Sequence, residues 1–269
     1  MKFSVALQLF SVRDEASKDL RGTLAQVKQM GYDGVEFAGL HGHDAADIRQ
    51  MLDEVGLVGI SAHVAPAELM SDIEGKINDY ATIGCKYIAV PYLGEQDRPG
   101  ATNWPQVAKA IRQIAAVAKE KGITILYHNH DFEFAKQDGE YLLDLMYKEL
   151  PAEVLQTELD TCWVNVGGAD PVEYILKYSG RAPVVHIKDF VGSKTENMYE
   201  LIGIDKKADV TQKFEFRPVG KGVQNFPAII GAAVQAGTSW LVVEQDMPSL
   251  GLTPMECAKE SIEYMKTIL

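Results

Sequence analysis

The chain has 269 residues, of which 46% are apolar, and a formal net charge of −12. That length and apolar share suit one sizeable core, and the acidic excess weighs against a nucleic-acid scaffold, which needs Lys and Arg to neutralise phosphates. No run approaches the roughly 20 apolar residues of a membrane helix, and the opening MKFSVALQLFSVRD is too short and too interrupted for a signal peptide. Cys85, Cys162 and Cys257 are widely spaced and form no CxxC pair; they read as reduced thiols in a cytoplasmic protein.

The elements follow one cadence. A helix end, a glycine and a strand recur at Gly31, Gly56, Gly84, Gly122, Gly180 and Gly237, as expected where a helix closes in the left-handed conformation. Strands are predicted at 4–10, 34–38, 59–63, 87–92, 123–130, 155–160, 183–189 and 240–245. Helices are predicted at 20–30, 45–55, 72–83, 104–121, 141–148, 172–178, 226–236 and 254–268. Asn103 or Thr102 is placed to cap the fourth of these helices, and Asp170, before Pro171, the sixth. The longest excursion, 192–222, is a candidate lid or oligomer contact. Eight strand–helix units predict a single (β/α)₈ TIM barrel over 1–269, with its chemistry at the carboxyl ends of the strands.

Alternation along each strand sorts the side chains. Ser61 and His63 share a face, as do Thr124, Leu126, His128 and His130, then Glu158 and Asp160, His186 and Lys188, and Glu244 and Asp246. The opposite face carries Ile123, Ile125, Val185, Ile187, Leu241 and Val243, which suits packing against helices. The polar sets therefore point to the barrel axis, where buried carboxylates must be paired or bound to a cation. Asp160, His186 and Glu244, converging from three strands, read as a divalent-metal site. Alone, each has a blander reading: His63 as a hydrogen-bonded or substrate-contacting histidine, Asp160 or Glu244 as an ion-pair member. The HGHD stretch with His41 and His43 reads as a solvated loop, and Trp104 and Trp163 as apolar walls, with a sugar ring able to stack on one.

The motifs YHNHDFEF, LDTCWV, HIKDF and VVEQD, with the opening LQLFSVRD, resemble the sugar phosphate isomerase/epimerase superfamily of xylose isomerase-like TIM barrels along the whole chain. The resemblance implies a divalent ion (Mn²⁺, Mg²⁺, Co²⁺ or Zn²⁺) held by residues of strands five to eight. Asp160, His186 and Glu244 match three of its ligands. The strand-five glutamate of ketose epimerases has no equivalent inside the strand, so Glu133, just beyond it, or His128 supplies the fourth. The family often has a histidine where this chain has Trp163, a departure from the ordinary ketose 3-epimerase pattern.

The expected activity is isomerisation or epimerisation of a sugar, keto-sugar or polyol through an enediolate, with dehydration of the inosose dehydratase type as the alternative. His128, Glu133 and Glu244 are candidate bases; His63, His130, Trp163 and Lys188 are candidate substrate contacts. An endonuclease IV-type AP endonuclease shares the barrel, yet six histidines and net negative charge fit poorly with a trinuclear zinc cluster and a basic DNA crescent. A sugar-binding barrel without catalysis is the third class. The partner expected is a small sugar or polyol, with no nucleic acid or membrane, in a barrel of a kind often found as dimers or tetramers.

Overall fold

In the computed structural model, which describes residues 3–194 and 214–269, eight parallel strands close on one another. They are β1 (Ser4–Gln8), β2 (Gly34–Ala38), β3 (Val58–His63), β4 (Tyr87–Val90), β5 (Thr124–His128), β6 (Gln156–Asp160), β7 (Val184–Ile187) and β8 (Trp240–Val243). Each pairs with its sequence neighbours, and β1 meets β8 to complete the barrel. Between them run α1 (Leu20–Met30), α2 (Ala45–Val55), α3 (Ile73–Ile83), α4 (Trp104–Glu120), α5 (Leu142–Glu149), α6 (Pro171–Lys177) and α7 (Phe226–Ala236), with α8 (Pro254–Ile268) closing the ring. The TIM barrel expected from the glycine cadence is therefore present.

Local chemistry explains the boundaries. α1 and α3 end on Gly31 (φ 99°) and Gly84 (φ 102°), where any Cβ would strain the left-handed backbone. Asp170 caps α6 by accepting from Val172 and Glu173 N–H, as predicted. Asn103 stands at the start of α4, but its side chain donates to Asp97 instead of capping. Strands one, four, five, seven and eight stop sooner than alternation alone implies. In β1 the Gln8 side chain accepts from Phe10 N–H at 2.9 Å and turns the chain into a 3₁₀ segment. After β5, Asn129 leaves the sheet and grips the backbone of Asp160 through both amide atoms.

The outward faces pack as one continuous core with the helices, through Val5, Leu7, Val35, Ile125, Tyr127, Val185, Ile187, Leu241 and Val243 among others. The barrel interior is layered. Ala6, Ile60, Ala89, Leu126, Val184 and Val242 make a dry floor. Two residues further along the strands stand Gln8, His128, His186 and Glu244, all buried. Register aligns the site directly: His186 pairs with Asp160 on one side and Val242 on the other, and His128 pairs with Glu158. The 192–222 excursion lies mostly outside the described residues. Of its described parts, Glu215–Arg217 pairs antiparallel with Asp189–Val191. Asp189 anchors that turn by accepting from the N–H groups of Phe190, Gly220, Gly222 and Gln224.

Candidate metal centre and active site

The carboxyl ends of four strands, with Glu244 one residue past β8, bring one ligand atom each to a common space. Atoms of His128, Asp160, His186 and Glu244 all lie within 4.8 Å of one another, and all four residues are buried. A second group, His63, His128, Glu158 and His186, meets the same criterion and shares both imidazoles with the first. His186 faces both ways: its Nδ1 lies 3.0 Å from Glu244 Oε2, and its Nε2 lies 2.8 Å from Glu36 Oε1 and 3.1 Å from Glu158 Oε1. His128 also bridges, with Nε2 3.6 Å from Asp160 Oδ2 and Nδ1 3.3 Å from Glu158 Oε1.

Glu36 was not marked as a site residue by the sequence, yet it organises the lower tier. Its carboxylate accepts from Gln8 Nε2 at 2.7 Å and from the Ser61 hydroxyl, and it faces both His186 and His63. A lone acid in the apolar strand GVEFA was the available signal, since such a group needs an internal partner. Glu158, in phase with Asp160 by alternation, joins this tier, its Oε1 2.6 Å from His63 Nε2.

The protonation pattern follows from this crowding. Burial works against charge on His63, but Glu36 and Glu158 push its pKa up to about 10. Burial likewise opposes charge on His186, and Glu158 and Glu36 raise it well above the ordinary value. His128 is driven the other way, by burial and by His186 and His63, and stays neutral. Burial and Lys188 do the same to His130. Burial would raise Glu244, but Lys188 and His186 hold it well below the usual carboxylate range.

Two carboxylates and two imidazoles fit a divalent ion of the Zn²⁺, Mn²⁺ or Co²⁺ kind. The charge inventory fits as well. Glu36, Glu158, Asp160, Glu244 and Asp246 are all buried at this end of the barrel, and they outnumber the buried cations that face them among the described residues, Lys188 and the His63 and His186 imidazoles. Glu158 Oε2 also has no hydrogen-bond partner, an unmet buried acceptor of the kind that calls for an ion, a proton or water.

Glu133 is not brought to the axis. Its carboxylate turns to the outer layer, where Tyr127 Oη donates at 2.5 Å and His130 N–H at 2.7 Å, and it joins neither ligand group. The reason is alternation: Tyr127 faces the helices, and the 3₁₀ turn at Phe132–Phe134 folds Glu133 back onto that face. Of the two strand-five candidates, His128 is the one the barrel brings to Asp160 and His186. Trp163 is a buried wall 5.3 Å from the His130 ring, with Lys188 Nζ 5.4 Å from its own centroid. Trp104 donates to Glu149 at 2.6 Å, away from the site. The HGHD loop contributes to neither group, and His41 Nδ1 meets Ser17 Oγ at 3.3 Å.

Above the ligands opens a cavity of about 310 Å³ lined by His63, His128, His130, Lys188, Glu244 and Asp246, with Phe10, Pro91 and Tyr92 as apolar walls. His130 stacks on Phe132 at 5.2 Å, and its Nδ1 is buried without a hydrogen-bond partner.

The family model described as Xylose isomerase-like TIM barrel matches residues 24–268. The chain belongs to the xylose isomerase-like TIM barrel family. Among curated relatives, the inosose dehydratase of Geobacillus kaustophilus is 22% identical over 274 residues, covering 91% of this chain and 86% of that protein. A sugar phosphate isomerase/epimerase from Parabacteroides distasonis superposes with a TM-score of 0.75 and 25% identity, covering 98% of each chain. The IOLI protein, solved with a zinc atom, superposes with a TM-score of 0.70 at 16% identity, over 99% of this chain and 98% of that one. At such distance the last likeness speaks for the fold. No helix among the described residues is long and apolar enough to cross a membrane.

Proposed function

We propose that this protein is a divalent-metal-dependent enzyme that moves protons beside the carbonyl of a small keto-sugar or keto-polyol, as an isomerase or epimerase. The observation that carries the reading is the meeting of His128, Asp160, His186 and Glu244 from four neighbouring strands beneath one cavity. In this reading those four residues hold the ion, which when bound supplies Lewis acidity to a substrate oxygen.

The chain's own groups do the rest. Glu36 accepts from His186 Nε2, which fixes the imidazole with Nδ1 turned to Glu244; such an outer carboxylate also makes the ligand more basic. His130 lines the cavity, and its Nδ1 is buried without a hydrogen-bond partner; in this reading that nitrogen takes a proton from a carbon acid and returns it, although burial and Lys188 make the imidazole a weak base. Glu244 is a weakened base too, because Lys188 and His186 stabilise its charge. Phe10, Pro91 and Tyr92 give the cavity an apolar wall beside the reacting carbon. Glu133 acts at one remove, holding the backbone of His130.

Dehydration is the second reading, favoured by the inosose dehydratase likeness over 91% of the chain. Proton removal is shared, and the two outcomes part at the next step. A return of the proton gives an isomer or epimer, whereas departure of a β-hydroxyl gives an enone. The test is a screen of keto-sugars and inososes in D₂O with added Mn²⁺ or Co²⁺. Deuterium uptake without loss of mass supports isomerisation or epimerisation, and loss of water supports dehydration. If no substrate of either class exchanges a carbon-bound proton, the reading is wrong.

A further inference from the structure

Lys188 sits where a bound cation would be felt most. Its Nζ lies 3.1 Å from Asp160 Oδ2, 2.9 Å from Glu244 Oε2 and 3.0 Å from Asp246 Oδ2. The first two residues belong to the upper ligand group, and Asp246 does not. The lysine is 1% exposed, its ammonium 5.4 Å from the Trp163 ring centroid and 5.6 Å from that of Phe216. In so dry a setting an ammonium and a divalent ion sharing the same two oxygens repel strongly. Without any cation, the Asp160, Glu244 and Asp246 carboxylates would repel one another instead.

We propose that Lys188 is a built-in placeholder for the ion, neutralising Asp160 and Glu244 while the centre is empty and withdrawing onto Asp246 as the ion binds. Asp246 is then a positioning residue: it acts on the centre by giving the ammonium somewhere else to go. Four methylenes let the head group shift without moving β7, and Asp246 already accepts a hydrogen bond from it. The inference rests on the metal reading given above, and it assigns roles to two residues outside the ligand set.

The test is Co²⁺ titration of chelator-stripped protein by calorimetry, with melting curves taken with and without the ion. Lys188→Met should bind Co²⁺ about tenfold more tightly than wild type, and Asp246→Asn about tenfold less tightly, a coupling of ordinary size. The metal-free Lys188→Met protein should melt lower than wild type and be raised more by Co²⁺. In the double variant the effect of Asp246→Asn should largely disappear, because it works through the lysine. A merely structural role predicts that both single variants weaken binding, and that result overturns the proposal. So does an Asp246→Asn effect that is equal with and without Lys188. If Lys188→Met does not fold even with Co²⁺, the Asp246→Asn arm decides, and unchanged affinity there overturns the proposal. Absence of Co²⁺ binding in the wild type sinks the metal reading and this inference together, whereas binding in the wild type with parallel losses sinks this inference alone.

Discussion

Replacing Glu133 by Gln gives a test that separates a ligand from a support. Glu133 is fully buried, and burial raises its pKa from 4.5 to about 7 despite the hydrogen bonds from Tyr127 and His130 and the charge of Arg98. A carboxyl raised in the folded state destabilises the fold as pH climbs. Below the unfolded value of 4.5 both states hold the proton and no difference arises. Between 4.5 and 7 the unfolded chain releases the proton while the native one keeps it. The shift corresponds to about 3 kcal/mol of stability lost across that window. Glutamine stands in for the protonated acid at every pH, so Glu133→Gln should match wild type near pH 4.5 and exceed it by about 3 kcal/mol above pH 7. Urea unfolding at intervals across this range measures the difference, and Co²⁺ stoichiometry should be unchanged. Parallel stability curves, or loss of the ion, would refute the placement of this carboxyl in the outer layer.

Other perturbations probe the axis. Alanine at Asp160 or Glu244 should abolish both ion binding and turnover while the circular dichroism stays native; full activity after chelation and metal re-addition would show the assignment to be wrong. Glu36→Gln removes the carboxylate shared by His63 and His186, and should cost about 3 kcal/mol in urea unfolding. It should also weaken ion affinity by about tenfold or more. His130→Gln should keep the ion but lower kcat by a factor of about 10² or greater, read as loss of solvent-deuterium exchange.

Most of the barrel was legible because its signals are local. Gly31 and Gly84 close helices by backbone conformation alone, and the apolar outer faces of β5, β7 and β8 declare themselves by alternation. Alternation also sorted Asp160, His186 and Glu244 to one face, and the register brings them together. Glu133 is not placed by the strand pattern, because position beyond a strand says nothing of where a 3₁₀ turn folds the side chain. The role of Glu36 is not encoded in any local pattern, because its partners, Gln8, Ser61, His63 and His186, are distant in sequence. The role of Lys188 depends on three separations of about 3 Å, and no pattern of residues encodes those.

The most direct measurement is an anomalous-difference map from crystals soaked in Mn²⁺. A single strong peak bounded by His128, Asp160, His186 and Glu244, with the Lys188 ammonium drawn toward Asp246, is the predicted result. A map without a peak in the barrel, or with its peak among His63, Glu158 and His186 while Lys188 still bridges Asp160 and Glu244, would contradict the account.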